Sequence, residues 1–223
     1  MANLNVQTGS NTTTAAELAA ETLARHGVDR IFGQSLPSAL ILAAENLGIR
    51  QIAYRTENAG GAMADGFARI SNRVGVVTAQ NGPAATLLVP PLAEAMKVSV
   101  PIVALVQEVE RPMMDKNAFQ ELDHFSLFQG CTKWVRRVMD ASRIEEYMDA
   151  AFVTATTGRP GPVALLLPAD LLKEDVREMA SERSAVLGHW PIDRTVADPA
   201  AIASAAKLIA EARHPVVHAG GGV

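Results

Sequence analysis

Glu57 is the residue of this sequence with the clearest chemical potential. It follows a strand-like segment and begins a helical one, so its carboxylate lies at the positive end of a helix dipole, which stabilises a protein by about 0.3 to 1 kcal/mol. That electrostatic account leaves the composition of the helix unexplained. The helix contains Gly60, Gly61 and Gly66, and each glycine lowers helix stability by about 1 kcal/mol. We therefore expect close packing against this helix.

Other groups of polar residues have simpler interpretations. Cys131 is the only cysteine and has no evident partner base, so we interpret it as a structural residue. His214 and His218 lie on a predicted strand, too far apart for a helical zinc pair, and no metal site is predicted. The segment Gly220-Gly221-Gly222 lacks the helix and acidic residue that a dinucleotide site needs. A small basic cluster is interpreted as a solvated face; it consists of Lys133, Arg136 and Arg137.

The elements that must position these residues alternate along the chain. Thr14 with Glu17 and Ser142 with Glu145 form capping boxes, which predict helix starts. Residues 108–130 lack a strong period and predict a long irregular excursion with one short helix. The predicted strands are 30–32, 49–55, 74–79, 101–107, 132–138 and 162–167. This alternation predicts an α/β fold, a doubly wound three-layer αβα sandwich with a mostly parallel six-stranded sheet.

The predicted fold also indicates where a ligand should bind. Open α/β sheets bind their ligands outside the carboxyl ends of the strands. This rule selects the loops that begin at Gly33, Thr56, Ala79 and Glu108 as the lining of a site. Glu57 directly follows the start of the second of these loops.

The chain divides into four parts. Residues 1–13 are interpreted as a flexible tail, and residues 14–172 contain the predicted sandwich. Residues 173–197 begin with a run of charged residues and continue with a segment that contains proline and glycine, a composition typical of a linker. Residues 198–223 predict a helix capped by Asp198 and a strand over 215–219, the start of a second domain that is cut off.

Composition excludes several classes of function. The net charge is −4 without a basic stripe, and aromatic residues make up only 4%, so no nucleic-acid partner is expected. The first residues lack a signal peptide, and no apolar run reaches about 18 residues, so we expect no membrane contact and a cytoplasmic location. The single cysteine excludes an intrachain disulfide. A small-molecule ligand fits best.

Four motifs together carry a specific resemblance. They are Arg55-Thr-Glu-Asn-Ala-Gly-Gly-Ala-Met-Ala-Asp-Gly-Phe-Ala-Arg69, Gln80-Asn-Gly-Pro83, Ala118-Phe-Gln-Glu121 and Gly158-Arg-Pro-Gly-Pro162. In this order they resemble the N-terminal half of thiamine diphosphate-dependent enzymes of the acetolactate synthase type, and the resemblance covers roughly residues 13–172. It identifies the sandwich as the pyrimidine-binding domain, and residues 215–223 resemble the opening of that family's central domain.

The resemblance implies roles for individual residues. The glutamate that matches Glu57 hydrogen-bonds a ring nitrogen of the cofactor's aminopyrimidine, usually across a dimer interface, and promotes proton removal from the thiazolium carbon. Asn81, Gly82 and Pro83 match the segment that packs against the pyrimidine. Phe119 and Gln120 match residues that approach the substrate, a 2-oxo acid, although ordinary core packing is an equal alternative for Phe119.

The resemblance also implies what this chain lacks. The family binds the diphosphate through Mg2+ in a C-terminal domain with a Gly-Asp-Gly motif, which does not occur in this sequence. This piece is therefore expected to be inactive alone. The resemblance implies a homodimer or homotetramer and leaves binding of FAD undetermined.

Departures from the pattern leave the substrate open. The family's Pro-Gly-Gly loop is replaced by Ser35-Leu36-Pro37, its asparagine by Leu87 and its lysine by Ala169. Pro37 remains a candidate cofactor-binding residue. We interpret the whole protein as acetolactate synthase-like, decarboxylating a 2-oxo acid and transferring an acyl or hydroxyalkyl unit. The alternatives are a sulfoacetaldehyde acetyltransferase-like enzyme and a non-catalytic short subunit that only binds a partner. A flavin- or nucleotide-binding fold would need a phosphate loop, and none is found.

Overall fold

The computed structural model describes residues 12–177 and 196–220. The strands are β1 Thr12–Thr14, β2 Arg30–Phe32, β3 Arg50–Ile52, β4 Gly75–Ala79, β5 Ile102–Glu108, β6 Trp134–Arg137, β7 Val163–Pro168 and β8 Asp175–Arg177. The helices are α1 Ala15–Arg25, α2 Ser38–Asn46, α3 Glu57–Ser71, α4 Pro83–Thr86, α5 Val89–Val98, α6 His124–Gln129, α7 Ile144–Thr156 and α8 Pro199–Glu211. Short 3-10 turns lie at Arg111–Met113, Ala141–Arg143 and Leu171–Lys173.

Six strands form one parallel sheet, which confirms the predicted α/β fold. Their order is β3-β2-β4-β5-β7-β6. The chain therefore leaves β2 toward one side, to β3, and then returns to the other side of β2, to β4. Such a reversal opens a crevice between the carboxyl ends of the two strands that flank it, here β2 and β4, and ligands bind in such crevices.

Helices cover both faces of this sheet, as the sandwich prediction requires. One apolar cluster joins the sheet to α1, α2 and α7, and a second joins it to α3, α5 and α6. Successive residues of β7 alternate between them, because Leu165 belongs to the first cluster and Leu166 to the second, and both are fully buried. The sheet is thus apolar on both faces, and polar side chains gather at its ends.

Two helix starts test the predicted capping boxes. Thr14 caps α1 through both reciprocal hydrogen bonds with Glu17, as predicted. The prediction for Ser142 is wrong, because Asp140 accepts hydrogen bonds from the backbone nitrogen and hydroxyl of Ser142 at 2.9 and 2.7 Å. Ser142 therefore lies inside a 3-10 turn, and α7 begins only at Ile144.

Two short strands were not predicted. β1 and β8 pair antiparallel, with Thr12 opposite Arg177 and Thr14 opposite Asp175, so residues 12–14 and 175–177 are ordered parts of the unit. The predicted strand over 215–219 is absent from the part of the chain described, where residues 212–220 form no regular element and are exposed. A strand needs a neighbour for its backbone hydrogen bonds, and that segment has none among these residues. The remaining predicted tail and linker, 1–11 and 178–195, and residues 221–223 lie outside the described residues.

Candidate functional site

The carboxyl ends of β2, β3 and β4 place the predicted site residues. Glu57 is the first residue of α3, directly after the loop that leaves β3, and it is half-buried. Asn81 follows β4 and is only 5% exposed. β3 and β4 lie on opposite sides of β2. The axes of the strands that precede Glu57 and Asn81 are therefore two strand spacings, or roughly 10 Å, apart.

Tyr54 connects these strand ends. Its hydroxyl donates a 2.6 Å hydrogen bond to the carbonyl oxygen of Thr78 in β4. Its ring lies against α3, where a Cβ at Gly60 would be only 2.2 Å from the Tyr54 Cδ1 atom. Burial, and secondarily the charge of the nearby Glu57 carboxylate, raises the pKa of Tyr54 well above its usual value, so the phenol stays a donor.

The expected close packing of α3 is confirmed for two of its three glycines. A Cβ at Gly60 would meet Tyr54, and one at Gly61 would lie 2.4 Å from the Pro91 Cγ atom in α5. Gly66 differs, because a Cβ there would meet nothing within 4 Å. Packing within the described residues thus explains the glycines near Glu57 and not the one farther along the helix.

The loop after β2 is tied to the loop that carries Glu57. The Gln34 side-chain nitrogen donates to the carbonyl oxygens of Tyr54 and Arg55, both at 3.1 Å. In return, the Gln51 side chain donates to the carbonyl oxygen of Gly33 at 2.9 Å. These bonds hold the entrance of α3 in one backbone conformation.

Pro37 lies at the end of the β2 loop, where it is buried. It is the N-terminal cap of α2 and follows a cis peptide bond, and its carbonyl oxygen accepts a hydrogen bond from the Ile41 nitrogen at 3.0 Å. Its cofactor contact stays a prediction.

The turn after β4 and the long excursion come together at Asn81. The Asn81 side-chain nitrogen donates to the carbonyl oxygens of Phe119 and Gln120, at 3.0 and 3.1 Å. The side chain of Gln80 also donates to that of Gln120 at 2.9 Å. Three of the predicted site positions are thus brought together from segments that are distant in sequence.

Phe119 is held away from the core. The residue is 80% exposed, so the core-packing interpretation is wrong. The next residue, Gln120, adopts a left-handed conformation with φ of 58°, which turns the chain at this point. An aromatic ring that is exposed beside a buried asparagine is available to a ligand or to another chain.

Gly82 is also in close contact with a neighbouring segment. Its φ of 67° and ψ of −129° suit only glycine, and a Cβ there would lie 2.6 Å from the Gln120 carbonyl oxygen. Its backbone nitrogen donates a 2.7 Å hydrogen bond to Nε2 of His124, the first residue of α6. Pro83 follows in the first position of α4 and is exposed.

A buried polar group lies behind this turn. His124 Nδ1 is 3.2 Å from a carboxylate oxygen of Glu108, and Glu108 accepts two hydrogen bonds from Arg137, one of them at 2.9 Å. Burial alone would raise the pKa of the Glu108 carboxyl, but the hydrogen bonds from His124 and Arg137 outweigh burial and lower the pKa. The prediction of a solvated face is wrong for Arg137. Sequence reasoning found the loop at Glu108 but missed His124.

Arg136 is exposed, as the prediction of a solvated face expects, whereas Lys133 and the neighbouring Cys131 have structural contacts. Lys133 donates hydrogen bonds to the carbonyl oxygens of Thr154 and Thr157 at the end of α7, the second at 2.9 Å. Cys131 is buried, and burial raises the pKa of its thiol to about 11. A thiol with such a pKa is a poor nucleophile near neutral pH, which agrees with its interpretation as structural.

A cleft of about 570 Å³ is lined by the Glu108 group, which consists of Glu108, His124 and Arg137, and by residues of the excursion. Its acidic side chains mainly hold the loop. Glu121 accepts hydrogen bonds from the backbone nitrogens of Asp115 and Ala118 at 2.6 and 2.9 Å. Asp123 caps α6 by accepting from Ser126 at 3.1 Å.

The groups that Glu57 and Gly82 present at this site suit a heterocyclic ring of a coenzyme. Glu57 offers a half-buried carboxyl group at a helix start, which suits a heterocyclic nitrogen, and Gly82 offers bare backbone against which a ring can lie. Over residues 12–177 and 196–220, no group of three or more histidine, cysteine, aspartate or glutamate residues could hold a metal ion. The carboxyl group of Glu57 and the bare backbone of Gly82 are therefore compatible with a heterocyclic ring. In the same ranges, no helix has the length and apolar character to cross a membrane.

Comparison with known proteins decides the family. The model of the thiamine pyrophosphate enzyme N-terminal TPP binding domain matches residues 13–127, more than half of the chain. The chain belongs to this family. Membership covers β2 to β5 with their loops and includes every residue singled out above from Pro37 to His124.

The chain is similar to several acetolactate synthases. The "Probable acetolactate synthase large subunit" of Methanocaldococcus jannaschii is 39% identical over 215 residues, which cover 93% of this chain and 36% of that protein. The acetolactate synthase of Mycobacterium bovis is 36% identical over 94% of this chain and 34% of its own length. The mitochondrial catalytic subunit of Aspergillus candidus is 33% identical over 94% of this chain and 32% of its own length. The chain thus spans about a third of the relatives that it matches.

Proposed function

We propose that this chain is the pyrimidine-binding part of an acetolactate synthase-like enzyme that acts on 2-oxo acids. The support is its identity of 39% and 36% to two acetolactate synthases over 93% and 94% of its length, together with its membership of the TPP-binding family. When bound, thiamine diphosphate supplies the carbanion-stabilising chemistry that decarboxylation of a 2-oxo acid needs.

The residues of the chain have distinct tasks in this proposal. Glu57 exchanges a proton with a ring nitrogen of the pyrimidine, because a carboxyl group at a helix start can carry the proton or release it. Asn81, Gly82 and Pro83 form the backbone surface against which the ring lies, and Pro37 closes the neighbouring loop. These contacts orient the ring and exclude water from one side.

Phe119 and Gln120 act on the substrate side. Both are held at the site edge by the side chain of Asn81, and the Phe119 ring is free to contact a small acid or a second subunit. We propose a homodimer or a homotetramer, because Glu57 is only half-buried in one copy and a second copy can complete its surroundings. Mg2+ and the diphosphate bind to residues outside this chain in the proposal, and the chain alone is inactive.

The test is product identification with the complete gene product. The enzyme, supplied with thiamine diphosphate, Mg2+ and pyruvate, should convert two pyruvate molecules into one acetolactate and one CO2. A parallel reaction with sulfoacetaldehyde and phosphate tests the acetyltransferase alternative, whose products are acetyl phosphate and sulfite. Acetolactate supports the proposal. Acetyl phosphate alone overturns it in favour of the alternative, and the absence of both products together with no cofactor binding indicates a non-catalytic subunit.

A further inference from the structure

We propose that His124 is a positioning residue that fixes the Asn81–Pro83 turn through the backbone nitrogen of Gly82. The inference rests on the proposed function for the identity of the ligand, whereas the contact itself belongs to this chain. The 2.7 Å hydrogen bond from Gly82 to His124 Nε2 joins the turn to the start of α6. No motif in the sequence marks this histidine.

The hydrogen bond determines which ring nitrogen of His124 carries the proton. Since Nε2 accepts from the Gly82 nitrogen, a neutral imidazole must carry its proton on Nδ1. Nδ1 lies 3.2 Å from a carboxylate oxygen of Glu108, which can accept a hydrogen bond from the Nδ1–H group. Glu108 thereby selects the one tautomer that can accept from Gly82.

The Glu108 carboxylate is itself held in place. It ends β5, is 3% exposed, and accepts hydrogen bonds from two nitrogens of Arg137 in β6. The chain of bonds therefore runs from Arg137 through Glu108 and His124 to the backbone of the turn. Each link is buried or half-buried, so water competes little for these partners.

The position of the turn depends on this acceptor. Gly82 is buried and adopts a backbone conformation that other residues avoid, so its nitrogen needs a partner in the folded protein. On its other side, the turn is bonded to the excursion by Asn81. Removal of the His124 acceptor leaves the Gly82 nitrogen unpaired and removes the hydrogen bond that attaches the turn to α6.

The first experiment uses the chain without any cofactor. Nitrogen NMR of the imidazole should show a protonated Nδ1 and an unprotonated Nε2 in His124. Exchange of the Gly82 amide hydrogen should be at least about tenfold faster in His124→Leu, since a lost hydrogen bond to a buried group is worth about a factor of ten. A protonated Nε2 in the wild-type protein overturns the proposal.

The second experiment separates positioning from general stability. A glutamine at 124 can place an amide oxygen near the site of Nε2, so His124→Gln should restore slow exchange of the Gly82 amide to within about threefold, whereas His124→Leu should not. The exposed His218→Leu is the matched control and should leave the exchange unchanged. Equal exchange rates in the leucine and glutamine variants at 124 would contradict the acceptor role.

The third experiment connects the turn to the cofactor. In the complete gene product, thiamine diphosphate titrated in the presence of Mg2+ should bind at least about tenfold more weakly to His124→Leu than to the wild-type protein and to His124→Gln. Equal cofactor affinity in all three proteins overturns the positioning role. If the wild-type protein binds no thiamine diphosphate, the proposed function fails while the NMR results still decide whether His124 holds Gly82.

Discussion

The hydroxyl group of Tyr54 donates a 2.6 Å hydrogen bond to the carbonyl oxygen of Thr78. Tyr54 lies in the loop between β3 and α3, shortly before Glu57, and Thr78 lies in β4, shortly before Asn81. One side chain therefore sets the distance between the two loops that the proposed pyrimidine site needs. The same ring fills the space that Gly60 leaves open in α3.

Replacement of Tyr54 tests the contribution of this bond. Tyr54→Phe keeps the ring against Gly60 and removes only the hydroxyl, so the free energy of unfolding should fall by about 1 kcal/mol, the usual value of one hydrogen bond. Urea unfolding of the chain measures the change. Tyr147→Phe, at a half-buried position on α7, is the control and should change stability by less than about 0.5 kcal/mol. Equal effects would show that the Tyr54 hydroxyl has no special role.

The glycines of α3 should respond in opposite directions. Gly60→Ala places a methyl group against the Tyr54 ring, which is anchored by its hydroxyl, so the protein should lose about 1 to 3 kcal/mol of stability. Gly66→Ala meets open space and should add about 0.5 to 1 kcal/mol through better helix propensity. Both values come from urea unfolding. Stabilisation by Gly60→Ala would contradict the close contact.

Glu57→Gln tests the proposed proton exchange. The amide keeps the size of the side chain and removes its acid, so the complete gene product should fold normally and lose activity by at least about a hundredfold. Turnover of pyruvate and the circular dichroism spectrum are measured together. Glu45→Gln, at an exposed position in α2, should keep full activity. Unchanged turnover in the Glu57 variant would remove this residue from the mechanism.

Asn81→Ala tests the attachment of the excursion. The side chain of Asn81 makes two hydrogen bonds to the backbone at Phe119 and Gln120, and their loss should allow this segment to open locally. Hydrogen exchange at the amides of Asp115 and Ala118 should accelerate by about tenfold or more. Asn46→Ala, at an exposed position that ends α2, should leave these rates unchanged. Wild-type exchange in the Asn81 variant would mean that other contacts hold the excursion.

The ion pair at the base of the excursion predicts a pH dependence. Burial alone would raise the pKa of Asp170, but hydrogen bonds from the backbone and side chain of Arg111 outweigh it and lower the pKa. A lowered folded pKa adds stability above the unfolded value of about 3.9, and this stability is lost as the pH falls through the folded pKa.

Urea unfolding between about pH 6 and pH 2 measures this effect. Wild-type stability should fall more steeply with decreasing pH than that of Asp170→Asn, which has no carboxyl group to protonate. Asn46→Ala, at an exposed position that ends α2, removes no carboxyl group and should keep the wild-type slope. Parallel slopes for wild type and Asp170→Asn would contradict the lowered pKa.

Local signals were sufficient for most of the fold. Short apolar runs separated by helical segments predicted the parallel sheet, and a strand end followed by Glu57 predicted a helix that begins at this residue, as α3 does. Ser142 failed because Asp140, two residues earlier, competes for the same backbone groups. β1 and β8 have three residues each and pair across the whole unit, so neither contains a pattern that indicates its partner.

The candidate site was predictable only in part. Strand ends and motif resemblance selected Glu57, Asn81 and Phe119, but the hydrogen bonds between Asn81 and the excursion depend on the folded chain. His124 is a lone histidine in a segment without periodicity, and only the fold brings Gly82 to it. Glu108 offered the one usable signal, because a carboxylate at the end of a buried strand requires partners.

The short ribbon formed by β1 and β8 has an architectural consequence. Thr14 and Asp175 lie opposite each other, so the polypeptide enters and leaves the sheet unit at neighbouring points. A module with adjacent entry and exit can be transplanted into a host loop or rejoined head to tail without stretching its connections. The sheet unit therefore has the connectivity of a domain that can be inserted into longer chains or exchanged between them.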